Sequence, residues 1–269
     1  MIDFTLKKYI ELLNVIISKQ YNFQTFKDYL KNPLNKTVIL RHDVDLIPEN
    51  ALIIAGIENK LGIKSSYYFR IIPKSFNLEI MNQINQMHHE IGYHYEDVDI
   101  IKKKYNFNIN NEEQKLELIK KSYDSFCNNL KIFNKNFEIK TICMHGSPIS
   151  NIDNRIIWKK FNYKDLGIIG EPYFDLDYSD FFYLTDTGRA WNKRSSSIRD
   201  SVDCGFNINI KSTQHLINLF EENKMPNKII INTHPQRWYN FGFSWTQELI
   251  FQNIKNMIKL LLKKQLTKL

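Results

Sequence analysis

Two carboxylates stand one residue apart where an apolar segment ends near the start of the chain. Residues 37–41 are mostly β-branched or aliphatic and predict a short strand, and Asp43 and Asp45 follow it. Parallel α/β sheets and barrels place their chemistry at the carboxyl ends of strands, where one acid can bind a metal ion and the other accept a proton. For this segment alone a structural role is equally open, because Asp at a strand end often caps a turn or helix.

Histidines occupy equivalent positions after three later apolar segments. They are His94, His145 and His234. Neighbouring parallel strands open on one face, so we expect these rings to lie near the two acids. Imidazole and carboxylate together suit a borderline divalent ion such as Zn²⁺, which activates water and polarises a carbonyl.

Strand and helix patterns alternate along the chain, which predicts parallel βαβ units in one barrel-like α/β domain. The predicted strands span residues 37–41, 65–69, 90–93, 141–144, 166–169, 181–185 and 228–232. The predicted helices span residues 4–18, 24–30, 48–61, 77–88, 111–133, 152–161, 213–223 and 245–264. We expect residues 1–35 to form a helical extension, 37–240 the barrel, and 245–269 a final helix.

The composition, 43% hydrophobic and 25% charged with a net charge of +8, is that of an ordinary globular protein. The lysines are scattered along helices, which favours solvated helix faces and no nucleic-acid partner. The final helix is predicted to pack outside the barrel through an apolar face formed by Leu249, Ile250, Ile254, Ile258, Leu261 and Leu262. As a basic amphipathic helix it is also suited to peripheral contact with an anionic membrane.

The three cysteines are too few for a disulfide framework and fit a reducing compartment. Residues 1–20 show no secretory signal pattern, and no window reaches 18 uncharged apolar residues. We therefore expect a cytoplasmic location.

Several motifs together resemble the polysaccharide deacetylase family, the NodB-homology group also called carbohydrate esterase family four (CE4). They are Leu40–Asp45, Gly62–Phe69, His89–His94 and, near the end, Thr233-His234-Pro235. The resemblance covers about residues 37 to 240. The R-H-D-V-D and T-H-P segments look most like a subgroup encoded in bacterial O-antigen and surface-polysaccharide clusters.

This resemblance implies a distorted (β/α)7 barrel and removal of an acetyl or similar acyl group from an amino sugar in surface-polysaccharide synthesis. It implies a divalent metal, most simply Zn²⁺, and a small-molecule or carrier-linked acetylated sugar as substrate. By the same resemblance Asp43 is the general base, Asp45 and His94 are metal ligands, and His234 protonates the leaving group.

The chain departs from the family pattern at two places. Val98 stands where a second metal-binding histidine is expected, so His145, or next Glu96, is predicted to replace it. Residues 143–148 lack the arginine that pairs with the base, and Arg41 or Arg189 are both open as substitutes.

Two further segments are candidates for the site. Asp186 and Trp191 resemble the family motif in which an Asp orients the catalytic histidine and a Trp lines the acetyl pocket, although 185–188 also reads as a simple turn. Arg237 and Trp238 are suited either to bind a sugar or phosphate or to form a packed pair.

Two alternative functions follow from the same residues. One is hydrolysis of a cyclic amide on the same fold, as in allantoinase-like relatives. The other is a catalytically degenerate protein that binds glycans or acts as a scaffold, which the missing second histidine would suit.

Overall fold

The computed structural model describes residues 2–146, 150–191 and 202–266, with side chains described through residue 258. The strands are β1 (Asn22–Gln24), β2 (Thr37–Val44), β3 (Ser66–Phe69), β4 (Glu90–Tyr95), β5 (Ile142–Met144), β6 (Phe182–Thr185) and β7 (Lys228–Thr233). The α-helices are α1 (Leu6–Ser18), α2 (Phe26–Lys31), α3 (Pro48–Lys60), α4 (Leu78–Gln86), α5 (Asp97–Tyr105), α6 (Glu112–Asn134), α7 (Pro172–Asp175), α8 (Thr213–Glu221) and α9 (Phe243–Leu266).

The seven strands form one parallel sheet in the order β5-β4-β3-β2-β7-β6. Strand β1 pairs with the first residues of β2, and β3 pairs with its last residues. The parallel α/β class is confirmed. Within the described residues the ladder does not close into a full barrel: beyond β5 it continues only as a bridge between Thr141 and Gly170.

Side-chain caps begin most of the helices that connect the strands. The capping residues are Thr5 for α1, Thr25 for α2, Asn77 for α4, Asn111 for α6 and Ser212 for α8. Each side-chain oxygen accepts a hydrogen bond from a backbone N–H in the first turn, which satisfies a donor that the helix itself cannot. Local sequence therefore determines where these helices begin.

The structure corrects several predicted elements. Residues 166–169 do not form a strand, because Tyr163–Leu166 is a 3₁₀-helix and only Gly170 reaches the sheet. The helix predicted at 152–161 is a 3₁₀-helix over Asn154–Lys159, and α5 was missed. Residues 1–35 contain a strand as well as two helices. Strand β2 is three residues longer than predicted and includes Asp43.

The final helix faces the opposite way from the prediction. Ile250, Ile254 and Ile258 are exposed rather than packed on the sheet. The expected packing is therefore wrong for these three residues, whereas Leu249 is partly buried and the side chains of Leu261 and Leu262 lie outside the described part of the chain. No helix in the described part of the chain combines the length and apolar character needed to cross a bilayer.

Gly92 in β4 tests how closely the sheet is packed. A Cβ there would lie 2.4 Å from the buried ring of Tyr68 on β3 and 3.0 Å from the Thr141 carbonyl oxygen. We predict that Gly92→Ala lowers the free energy of unfolding by about 1–3 kcal/mol, as overpacking of a core does. Urea denaturation measures the change.

Gly56→Ala is the matched control, because nothing lies within 4 Å of a Cβ at Gly56, which is inside α3. Alanine should raise stability there by about 0.5–1 kcal/mol through its higher helix propensity. Equal effects at the two glycines would contradict the packing argument.

Candidate metal centre and active site

Strand β2 directs alternate side chains to opposite faces of the sheet, as the two-residue period of a strand requires. Arg41 and Asp43 share one face and form a bidentate ion pair, with Nε and one Nη 3.0 and 2.8 Å from the two carboxylate oxygens. Both side chains are buried, at 1% and 2% exposure. Asn232 Nδ2 donates a third hydrogen bond to Asp43 at 3.0 Å.

This environment keeps Asp43 ionised. Burial raises the pKa of its carboxyl, but the charge of Arg41, followed by His94 and His234, outweighs burial and brings the pKa to about 2. Of the two candidate arginines, Arg41 is the one that pairs with Asp43. Arg189 lies elsewhere, with its guanidinium 4.5 Å from the Trp245 ring.

Three side chains from three strand ends converge on one point. The distance from Asp45 Oδ1 to His145 Nδ1 is 3.1 Å, from His145 Nδ1 to His94 Nε2 it is 3.3 Å, and from His94 Nε2 to Asp45 Oδ1 it is 3.6 Å. A tetrahedral ion with bonds of about 2.0–2.1 Å separates its ligands by about 3.3 Å. The triangle therefore has the size that zinc requires.

The protonation of His94 suits a ligand role. Its Nδ1 lies 2.9 Å from the Cys143 carbonyl oxygen, to which Nδ1–H donates, so the lone pair is left on Nε2. Burial, the largest influence, lowers the pKa of this imidazole and favours the neutral ring. A neutral imidazole is the form that binds metal.

Asp45 also has the character of a metal ligand. Its Oδ1 is buried without a hydrogen-bond partner among the described residues, although His145 Nδ1 lies 3.1 Å away. Burial raises the pKa of this carboxyl, but His145, His234 and His94 outweigh burial and lower it well below its usual range. A cation at this point would compensate the charge of the buried carboxylate, which the neighbouring histidines otherwise offset.

The structure brings His145 rather than Glu96 into the triangle. The His145 backbone N–H donates to the Tyr95 carbonyl oxygen, which continues the β4–β5 pairing. Glu96 instead accepts from two guanidinium nitrogens of Arg70, Nε at 2.8 Å and Nη2 at 2.6 Å. Its Oε2 lies 3.9 Å from His145 Nε2, so Glu96 borders the site from outside the triangle.

The other side of the site is a histidine–carboxylate dyad. Asp186, at the end of β6, accepts from His234 Nδ1 at 2.6 Å. The free nitrogen, Nε2, lies 3.8 Å from Asp45 Oδ2. Burial raises the pKa of Asp186, but Arg237 and His234 outweigh burial and lower it. An ionised carboxylate fixes the orientation of the ring and its tautomer, which is the arrangement predicted for these two residues.

Arg237 and Trp238 lie behind this dyad. Arg237 Nη1 and Trp238 Nε1 donate to the Asp186 carboxylate at 2.7 and 2.8 Å. Both side chains are buried. Both side chains are therefore occupied by Asp186 behind the dyad.

Two more of the predicted substrate-binding residues, Trp191 and Arg41, are buried. Trp191 packs between Phe4 and Trp238, and its Nε1 donates to Thr213. Arg41 is occupied by Asp43. Ser147 and Pro148, which follow His145 in the predicted cluster, lie outside the described residues.

Sequence reasoning missed four polar residues that support the site. Asn232 binds Asp43, Gln236 Nε2 lies 3.4 Å from Asp45 Oδ2, and Arg70 holds Glu96. Buried Glu171 accepts from the Met144 backbone N–H at 3.0 Å and so supports β5 beside His145. Only Asn232 and Gln236 carry a sequence signal, since both flank the T-H-P segment.

A second buried polar cluster lies on the other face of β2. His42 Nε2 lies 2.8 Å from Glu58, and its Nδ1 lies 2.6 Å from the Thr233 hydroxyl. Tyr9, Ser65 and Tyr67 also donate to Glu58, which is fully buried. This cluster ties the strand that carries Asp43 to the one that leads to His234.

Comparison with known proteins gives distant structural likeness alone. No protein-family model and no curated protein matches the chain. It is similar to the wild-type CE4 family pseudoenzyme from Bacillus anthracis, at 15% identity and a TM-score of 0.40. Two mutants of a CE4 family pseudoenzyme, one with restored enzymatic activity, match at 14% and 15% identity with the same TM-score.

Each match covers 85% of this chain. The chain spans less than two thirds of the length of those structures, at 65%, 64% and 63%. Likeness of this size does not determine what the site does.

Metal content tests the donor triangle. Asp45→Ala and His145→Ala each remove one of three donors, so we predict that zinc affinity falls by more than the roughly 10- to 100-fold cost of losing an outer partner. Glu96→Gln should lower zinc affinity by no more than about 10- to 100-fold, because Glu96 lies outside the triangle. Elemental analysis measures the zinc content and chelator competition measures the zinc affinity. His215→Ala, in α8, is the control for loss of a histidine away from the site.

Retention of stoichiometric zinc by both Asp45→Ala and His145→Ala would contradict this assignment.

Stability at low pH tests the second cluster. Burial raises the pKa of Glu58, but His42, His89 and Ser65 outweigh burial and lower it from 4.5 to about 2. The ionised carboxylate therefore contributes stability that is present above pH 4.5 and is lost as the pH falls toward 2. We predict that Glu58→Gln lowers the free energy of unfolding by about 3 kcal/mol at pH 7, and that the difference shrinks below pH 4.5.

Denaturant titrations between pH 2 and 7 measure this difference, with exposed Glu113→Gln as control. If the free energies of unfolding of Glu58→Gln and the wild type differed by the same amount across that pH range, the charge of Glu58 would not be the cause of the destabilisation.

Proposed function

We propose that the chain is a metal-dependent hydrolase that removes an acetyl or similar acyl group from an amino sugar. The observation that carries this proposal is the metal-sized triangle of Asp45, His94 and His145. Ionised Asp43 lies 3.8 Å from His94 Nε2, and Nε2 of His234, which is held by Asp186, lies 3.8 Å from Asp45 Oδ2. A divalent site between a proton acceptor and a proton donor suits hydrolysis of an amide or ester.

Zinc is the ion that best fits this donor set. Two imidazole nitrogens and one carboxylate oxygen are ligands that zinc accepts, and three protein ligands leave a position open for chemistry. The chemistry that such an ion supplies when bound is polarisation of the acyl carbonyl and acidification of a water molecule.

The side chains around the ion would divide the proton transfers. Asp43 is ionised and lies 3.8 Å from His94 Nε2, so it can accept the proton of the attacking water. Its low pKa makes it a weak base, and the reaction therefore depends on a water made acidic at the site. His234, held by Asp186, would donate from Nε2 to the leaving nitrogen or oxygen.

The substrate class comes from the motif resemblance. An acetylated amino sugar on a nucleotide or lipid carrier, within bacterial surface-polysaccharide or O-antigen synthesis, is the substrate we propose. The parallel sheet and the R-H-D-V-D and T-H-P strand ends support this reading, and a distorted (β/α)7 barrel of the NodB type is the fold that accompanies it.

Activity assays test the proposal directly. We predict that the zinc-loaded protein releases acetate from N-acetylated sugars, and that Asp43→Asn and His234→Ala each lower kcat/KM by about 10²- to 10⁴-fold while zinc remains bound. Asp186→Asn should also lower kcat, because an amide cannot stabilise the charged ring. Asp124→Asn and His215→Ala are the matched controls.

A panel of cyclic amides separates the rival hydrolase. Turnover of cyclic amides in place of acetylated sugars would show that the substrate is a cyclic amide, while the assignment of the catalytic and metal-binding residues would stand. Zinc-free protein that binds glycans equally well after Asp45→Ala would overturn the proposal in favour of a degenerate binding protein.

A further inference from the structure

The last helix, α9, has most of its apolar side chains on the outward face. Gln252 is buried, and Trp245, Glu248, Leu249 and Asn256 on the same side are partly buried. This orientation is the reverse of a surface helix of a globular domain, whose apolar stripe faces the core.

The outward face is unusually apolar. Seven of the eighteen exposed large hydrophobic side chains of the described residues lie between positions 241 and 258. They are Phe241, Phe243, Ile250, Phe251, Ile254, Met257 and Ile258. At 100° per residue, the last five and Phe243 fall within one third of the helix circumference, a sector that also contains exposed Gln247. A concentration of exposed apolar side chains of this kind marks an interaction site.

The charge of the chain after Glu248 has a single sign. This part contains five lysines, at positions 255, 259, 263, 264 and 268, and no acidic side chain. Lys255, the one of these lysines whose side chain is described, is exposed. Two copies of such a helix would place like charges against each other, which disfavours pairing with a second copy. An anionic surface with an apolar interior satisfies both the lysines and the exposed apolar side chains.

We propose that α9 lies in the interface of an anionic phospholipid bilayer. The outward Phe, Ile and Met side chains enter the boundary between headgroups and acyl chains, and the lysines contact lipid phosphates. In this arrangement the helix lies along the membrane surface.

The helix is also attached to the rim of the candidate site. Asn256 Nδ2 donates to the Gly188 carbonyl oxygen at 2.8 Å, and Arg189 donates to the Trp245 carbonyl oxygen at 3.2 Å. Gly188 and Arg189 belong to the turn that directly follows Asp186. Lipid binding would therefore hold the site next to the bilayer, where a lipid-linked sugar is presented. The presentation of such a sugar rests on the proposed function, whereas the lipid binding does not.

Vesicle flotation of the full chain tests the binding without any activity measurement. The wild type should float with vesicles of phosphatidylcholine and phosphatidylglycerol at least about tenfold more than with phosphatidylcholine alone, and high salt should weaken this binding. The double variant Ile254→Glu with Met257→Glu should lose at least about tenfold in binding to the anionic vesicles.

The matched control is Leu116→Glu with Ile132→Glu, which makes the same change at two exposed apolar positions of α6. It should bind like the wild type, and circular dichroism confirms that both variants fold. Equal binding by the α9 variant and the wild type would overturn the proposal. The proposal would also be overturned if the wild type did not bind anionic vesicles but formed a dimer in solution. Light scattering would detect that dimer, and the α9 substitutions would dissociate it.

Discussion

The buried ion pair between Arg41 and Asp43 is the interaction around which the candidate site is arranged. A carboxylate with almost no exposure would normally take up a proton, since burial raises its pKa. The bidentate contact with Arg41 reverses that effect, so Asp43 carries its charge beside three donor atoms of metal-ligand type. Removal of either partner alone would leave an uncompensated charge inside the protein.

Strand β2 is central to the molecule because one of its faces carries site residues and the other carries a buried polar cluster. Its odd-numbered residues, Arg41 and Asp43, point into the site, followed by Asp45 after the strand. His42 points the other way and joins Glu58 and Thr233 in a polar cluster. The same strand pairs with β3 and β7, so a shift of one residue would exchange the two clusters and destroy both. Register is thus as important to the chemistry as residue identity.

Much of this arrangement was predictable from local patterns. The strand ends that carry Asp43, Asp45, His94, His145 and His234 follow apolar segments with clear periodicity, and parallel pairing brings them together. The packing of Arg237 and Trp238 was not predictable, because long side chains after a strand can turn toward solvent or fold back, and only the position of Asp186 determines which occurs. The strand predicted at 166–169 was wrong for a similar reason: an apolar run of four residues does not distinguish a strand from a tight turn.

The sequence by itself determined the α/β class, most element boundaries and the set of residues able to bind a metal, since these depend on periodicity and on residue chemistry. Tertiary structure alone decided that Arg41 rather than Arg189 pairs with Asp43 and that His145 rather than Glu96 completes the triangle. It also decided that the apolar face of α9 points outward. The completion of the triangle and the direction of α9 depend on distances between segments far apart in the chain, about which the spacing of residues along one segment carries no information. Arg41 and Asp43 lie two residues apart on one strand, so there the tertiary structure decided only that Arg189 lies elsewhere.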